Sequence, residues 1–219
     1  MHIDWQAIDT LLLDMDGTLL DLHFDNYFWV HYLPQRYIET FKLEPTQTLA
    51  YLEQLFADQQ GSLSWYCIDY WSDQLQLDIV ALKKEVKDKI AIRPFVEDFL
   101  SAMRQTGKKT ILITNAHRAS LDLKMEETAL TPYLDALAST HDYGKPKEDP
   151  RLWSDLQSDF KYDPARSLLI DDGEVILDCA KACSIGHLLT LKQPDSQKAL
   201  RKNLRHPAIL HFDEIMPNV

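Results

Sequence analysis

The chain has 219 residues, 45% hydrophobic and 26% charged, a balance that supports a sizeable buried core and excludes a disordered chain or a short disulfide-stapled module. Its 23 Lys and Arg against 34 Asp and Glu give a formal net charge of −11, which disfavours a sequence-independent grip on nucleic acid or an anionic membrane. The deficit is uneven: residues 181–219 hold six basic and three acidic residues. No apolar run approaches the roughly 20 residues that span a bilayer. The first ten residues contain Asp4 and Asp9 and lack a basic start followed by an apolar stretch, so no secretory leader is expected and the expected location is the cytoplasm. Cys67, Cys179 and Cys183 are odd in number and contain no C-x-x-C, which argues against a disulfide framework or a zinc knuckle. Cys179 and Cys183, four residues apart, are expected to be small core residues of a helix.

Five unalternated apolar runs, at residues 10–14, 110–114, 137–140, 167–171 and 187–191, have the pattern of strands buried on both faces. Helical patterns lie between them, so the chain is expected to be α/β, with a parallel sheet covered by helices on both sides. The first run, Leu11-Leu12-Leu13-Asp14, is followed by Met15-Asp16-Gly17-Thr18. Carboxylates at i and i+2 in extended backbone share a face, and the end of a parallel strand opens on the crevice where α/β proteins bind ligands. An N-capping Asp with a turn would explain the same residues without chemistry.

From residue 22 to 92 no strand-like run occurs. Four helical stretches are predicted there: 25–41; a second starting at Pro45 and ending near Gly61; a third following Ser62 as N-cap; and 78–89. This predicts a helical bundle inserted into the core, dense in aromatics from Phe24 to Trp71 that are expected mostly to pack its interior. Residues 93–107 read as a core helix with Phe95, Phe99 and Met103 on its buried face, stopped by Gly107. Beyond residue 191 lie Pro194, Pro207 and Pro217, with a basic cluster expected on a solvated helix face.

Asp14-Met15-Asp16-Gly17-Thr18 resembles the first motif of the haloacid dehalogenase-like phosphohydrolases, and three more sites continue the resemblance in order. Thr114, ending Ile111-Leu112-Ile113-Thr114-Asn115, stands where that family has a phosphate-binding hydroxyl. Lys147 matches the family's lysine, with Pro150 and Trp153 in register; Lys145-Pro146 is a competing register that misplaces both. Leu168-Leu169-Ile170-Asp171-Asp172-Gly173 stands where the family supplies carboxylates for Mg2+, with Gly173 in place of a common Ser. The resemblance implies a Rossmann-like core over residues 1–21 and 93–219 and a C1-type helical cap over 22–92. Stretches including Phe24-Asp25-Asn26-Tyr27-Phe28-Trp29, Trp65-Tyr66-Cys67-Ile68-Asp69-Tyr70-Trp71 and Thr114-Asn115-Ala116-His117 resemble the bacterial GMP/IMP 5′-nucleotidase branch over nearly the whole chain.

The chemistry follows from charge. A carboxylate approaching a phosphate dianion meets repulsion unless cations intervene, and a hard divalent ion with oxygen ligands supplies them. The resemblance implies Mg2+ as cofactor, ligated by Asp14, Asp172 and the Asp16 carbonyl, with Asp171 as an alternate ligand or a partner behind. Asp14 would be the nucleophile, Asp16 the acid and base with a raised pKa, and Lys147 and Thr114 the groups stabilising the transferring phosphoryl oxygens. Asn115, Asp25, Asn26 and Tyr27 are candidate substrate contacts, and His117 a candidate leaving-group contact. A turn or helix cap explains Asp25 and Asn26 equally well. The expected partner is a small phosphomonoester, a purine nucleoside monophosphate, with no nucleic acid or membrane and a monomeric or weakly dimeric state. The alternatives are a phosphatase for a sugar phosphate or phosphoglycolate, a phosphomutase, and a non-catalytic phospho-ligand-binding domain.

Overall fold

The computed structural model describes residues 3–217. Its sheet has six strands, β1 (Thr10–Leu13), β2 (Lys109–Thr114), β3 (Ala136–Ser139), β4 (Ser167–Ile170), β5 (His187–Leu191) and β6 (Ala208–Ile209), in the order β3-β2-β1-β4-β5-β6. Every pairing is parallel. Leu13 pairs with Leu112 on one side and Ile170 on the other. The register therefore ends β1, β2 and β4 together, and the residues just beyond them meet at one edge. The strand order reverses about β1, the switch point at which open α/β sheets bind ligands.

Both faces of the sheet are buried, which explains the unbroken apolar runs. Leu11, Leu13, Leu112 and Ile170 pack with Val96, Phe99 and Met103 of α6 (Val96–Gln105) and with Leu121 of α7 (Arg118–Thr128). Leu12, Ile111, Ile113 and Leu169 pack with Leu152, Trp153 and Leu156 of α8 (Pro150–Phe160) and with Ile176, Leu177 and Ala180 of α9 (Glu174–Ala182).

Between β1 and α6 the chain is helical: α1 (His23–Tyr27) runs through a π turn (Phe28–Tyr32) into α2 (Leu33–Phe41), followed by α3 (Pro45–Ala57), α4 (Ile68–Leu75) and α5 (Ile79–Glu85). This insertion has its own core, with Phe24, Phe28, Leu52, Trp71, Ile79 and Leu82 among its buried members. Trp71 is its hub, meeting Trp29, Phe56 and Trp65 edge-on at centroid distances of 6.1, 5.0 and 6.4 Å.

The structure corrects four expectations. Phe95 is not on the buried face of α6; it precedes the helix at φ 64° and is exposed, because the chain must turn sharply to enter the helix at Val96. Ser62 caps only a short 3-10 turn, and α4 starts one turn later, capped by the Cys67 thiol. Among its described residues the basic tail forms no α-helix but adds β6, and Arg201 within it donates to the Leu191 carbonyl, Thr190 Oγ1 and the Asp172 carbonyl. Cys179 and Cys183 are half-buried at the margin of a core rather than within it.

Candidate active site

The chain leaves β1 at Asp14 and turns back at once: the Gly17 amide donates to the Leu20 carbonyl and the Leu20 amide to Met15. Gly17 has φ +85°, and a Cβ there would lie 2.8 Å from the Asp172 carboxylate. Glycine is thus required both by the turn and by the close approach of the β4 loop.

At this edge Asp14, Asp171 and Asp172 each offer an oxygen within 4.8 Å of the others. Lys147 stands against two of them, its Nζ donating to Asp14 Oδ1 at 2.5 Å and to Asp171 Oδ2 at 2.6 Å, with the lysine side chain only 2% exposed. The loop that delivers Lys147 is held by Asn115, whose Oδ1 accepts from the Lys147 amide and Thr140 Oγ1 and whose Nδ2 donates to Glu148. Trp153 Nε1 closes the same loop onto the Lys147 carbonyl. Lys145, the competing register, pairs instead with Asp155.

Burial pushes Asp14 up to about 6 against the opposing pull of Lys147. Burial, then the charges of Asp14 and Asp171, raise Asp172 well above the carboxylate range. Burial also raises Asp171. Lys147 loses solvation too, but its two carboxylates hold it above the ordinary lysine value. One atom is left over: Asp14 Oδ2 is buried and has no hydrogen-bond partner among the described residues.

A second buried network crosses from core to insertion. Lys124 of α7 donates to Asp16 Oδ1 and Asp25 Oδ2, both at 2.6 Å, and Lys83 of α5 donates to Asp25 Oδ1 at 2.7 Å. The Lys83 ammonium also lies 4.9 and 4.8 Å from the ring centres of Phe24 and Phe28. Burial raises Asp16 to about 6 despite Lys124. Asp25 is equally buried, but two lysines override that cost and hold it well below the usual carboxylate range.

Both networks open on one cavity of about 350 Å3. Its floor is Asp14, Asp16, Thr114, Lys147, Asp171 and Asp172, and its insertion wall includes Asp25, Asn26, Trp29, Phe56, Trp65 and Tyr66. Asn115 and His117 line it as well. The Tyr66 hydroxyl donates to Glu148 at 2.9 Å, a direct strut from insertion to core. Asn26 donates to Asp195 at 2.7 Å. Tyr27 does not line the cavity; its ring sits with His23, His31 and Tyr32, beneath the Lys89 ammonium.

Lys83 and Lys124 belong to no motif in the sequence. Their signal is a lysine on an apolar helical stripe: Lys83 recurs with Ile79 and Val86, and Lys124 follows Leu121 by three residues.

A parallel sheet with three acids and a buried lysine at its switch-point edge, roofed by an aromatic-lined helical insertion, is the arrangement of an α/β protein with a ligand site at the strand ends. The model of the haloacid dehalogenase-like hydrolases matches residues 8–183, and the chain belongs to that family. It is 43% identical over 221 residues, covering 100% of both chains, to the GMP/IMP nucleotidase YrfG of Escherichia coli (strain K12). Among solved structures it resembles a HAD phosphatase from Thermococcus onnurineus, with TM-score 0.78 and 17% identity over 94% of this chain and 95% of that one. The L-2-haloacid dehalogenase of Xanthobacter autotrophicus follows the same fold, with TM-score 0.58 and 16% identity over 87% of this chain and 80% of that one.

Proposed function

We propose that this protein is a Mg2+-dependent 5′-nucleotidase that hydrolyses GMP and IMP to nucleoside and phosphate through an aspartyl-phosphate on Asp14. The observation that carries the chemistry is the pair of acids, Asp14 and Asp16, on the floor of one cavity, the first against a buried lysine and the second against another. The choice of purine nucleotides rests on the full-length likeness to the E. coli nucleotidase.

The acids fit a hard cation. An orphaned buried carboxylate oxygen on Asp14, beside an Asp172 carboxylate raised by its neighbours, is a donor set that Mg2+ satisfies. Asp14, Asp172 and the Asp16 carbonyl would hold it. Asp171 is occupied, one oxygen by Lys147 and the other by the Gly173 amide, so its work is to orient Lys147. Bound Mg2+ would neutralise phosphate charge and restore Asp14 to its anionic form.

Asp14 then attacks phosphorus, forming the acyl phosphate as the bond to the 5′ oxygen breaks. Asp16 gives its proton to that departing oxygen and later takes one from the water that cleaves the aspartyl-phosphate. Its raised pKa, about 6, keeps a usable fraction of acid near neutrality. Lys124 aims this carboxyl. Lys147 and the Thr114 hydroxyl face the phosphoryl oxygens.

The insertion, residues 22–92, acts as a cap that excludes water and supplies Trp29, Phe56 and Trp65 as surfaces for a planar base, where stacking contributes about 1–3 kcal/mol. Asp25 and Asn26 contribute to this wall as supports, each already bound to another residue.

Phosphate release from a panel of nucleoside 5′-monophosphates, sugar phosphates and phosphoglycolate, with Mg2+, tests this assignment. GMP and IMP should lead the panel in kcat/KM. Efficient turnover of sugar phosphates with negligible turnover of GMP and IMP would overturn the substrate and leave the chemistry standing.

A further inference from the structure

A second group of ligating side chains lies on the seam between cap and core and shares no residue with the carboxylate triad. Cys67 caps α4 on the cap side, its thiol accepting from the Tyr70 amide at 3.4 Å. His117 caps α7 on the core side through Nδ1, which accepts from the Ala119 amide at 3.4 Å. Its Nε2 faces the cap, 3.4 Å from Asp69 Oδ2; to ligate an ion through Nε2 the ring moves its proton to Nδ1 and gives up the long contact with the Ala119 amide. His141 lies in the short turn Thr140–Tyr143 after β3, edge-on to His117 with ring centres 5.0 Å apart. One ligand atom from each of Cys67, His117 and His141 lies within 4.8 Å of the others.

A closely packed thiol and two imidazoles can be simple filling, but one atom resists that explanation. His141 Nε2 is buried with no hydrogen-bond partner among the described residues, a cost that natural structures rarely leave uncompensated. Burial and the neighbouring His117 also keep the His141 imidazole below its usual range, in the neutral form whose lone pair a metal needs. Sulfur and imidazole nitrogen are the donors of borderline-soft ions and are unsuited to Mg2+.

We propose that Cys67, His117 and His141 form a second metal site, for a borderline divalent transition-metal ion of the Zn2+ class, that pins the cap to the core. The Asp69 carboxylate, exposed and already beside His117, is the fourth ligand within reach. Because the thiolate comes from one side of the seam and both imidazoles from the other, an ion holding all three opposes any separation of the two parts. Cap opening admits substrate and releases product, so occupancy stabilises the fold and slows turnover. On binding, the Cys67 thiol gives up its proton to solvent and no electron is transferred.

The test is titration of the full-length protein with Co2+ in saturating Mg2+, followed by displacement with Zn2+. One equivalent of Co2+ should produce a near-ultraviolet thiolate-to-cobalt charge-transfer band and the strong visible bands of a tetrahedral ion. Asp14→Asn should retain them, since the triad is not involved. Cys67→Ser preserves the helix cap through its hydroxyl; it should lose the charge-transfer band, weaken Zn2+ binding at least about tenfold, and abolish the rise in Tm that Zn2+ gives the parent. His141→Gln should weaken binding likewise. Absence of the charge-transfer band at one equivalent, its loss in Asp14→Asn, or parental Zn2+ affinity in Cys67→Ser would each overturn the proposal.

Discussion

Lys147 and Lys124 are both buried lysines held at contact distance between two carboxylates, and they differ in where those carboxylates come from. Lys147 joins Asp14 after β1 to Asp171 after β4, so its whole network lies within the core. Lys124 joins Asp16, in the turn after β1, to Asp25 on α1, and Asp25 is in turn held by Lys83 on α5. The first arrangement is complete without the cap. The second is complete only with the insertion seated, so in the proposed mechanism the acid that protonates the leaving group is aimed in part by the element that would close over the substrate. On the proposed mechanism, the phosphoryl end of the reaction is built into the core, and the leaving-group end is shared across the seam.

The largest effect is expected at the core network. Asp14→Asn removes the nucleophile at nearly constant volume and should reduce phosphate release by on the order of 10^4-fold or more. Its Tm without metal should be unchanged or higher, because repulsion among Asp14, Asp171 and Asp172 is relieved. Lys147→Met leaves two buried carboxylates without their cation, so it should both cut turnover and destabilise the protein by about 3–5 kcal/mol in denaturant unfolding.

Breaking the seam network should look different. Lys124→Met should lower kcat for GMP by about 10^2–10^4-fold, the range of a lost acid–base contribution. Lys83→Met removes a cation from Asp25 and from the Phe24 and Phe28 rings, one link further from the chemistry, and should cost on the order of 0.5–2 kcal/mol in kcat/KM. A Lys83→Met effect as large as that of Lys124→Met would show that cap packing, rather than aim of Asp16, sets the rate.

Protons give the mildest separation of the two. Asp14 and Asp16, raised to about 6 in the metal-free protein, favour the fold in their protonated forms, so their contribution is complete below the unfolded value and is lost as pH rises through about 6. Asp25, held low by Lys124 and Lys83, contributes above its unfolded value and loses that contribution in acid. Metal-free Tm should therefore rise on acidification from about pH 7.5 to about 5, and Mg2+ should raise Tm more at the higher pH.

How much of this is written in local sequence differs between the networks in the same way. Asp14, Asp16, Thr114, Asp171 and Asp172 are legible because each follows or ends an apolar strand, and parallel register carries strand ends to one edge. Lys147 needed its downstream Pro150 and Trp153 to fix the register. Lys124 and Lys83 carry no motif: each is a helix residue whose partner lies 58 to 108 positions away, and only its place on an apolar stripe sets it apart from a surface lysine. Tyr27 shows the converse, a residue adjacent to the site in sequence that its helix turns away from the cavity. β6, with two residues, is too short for any periodicity to show.

The most direct measurement is kcat of the parent and Lys124→Met proteins on two substrates, GMP, whose alkoxide must be protonated, and p-nitrophenyl phosphate, whose phenolate leaves unaided. If Lys124 aims the acid, the loss on GMP should exceed the loss on p-nitrophenyl phosphate by at least about tenfold. Equal losses on both substrates would contradict the division between a core that handles the phosphoryl group and a seam that handles the leaving group.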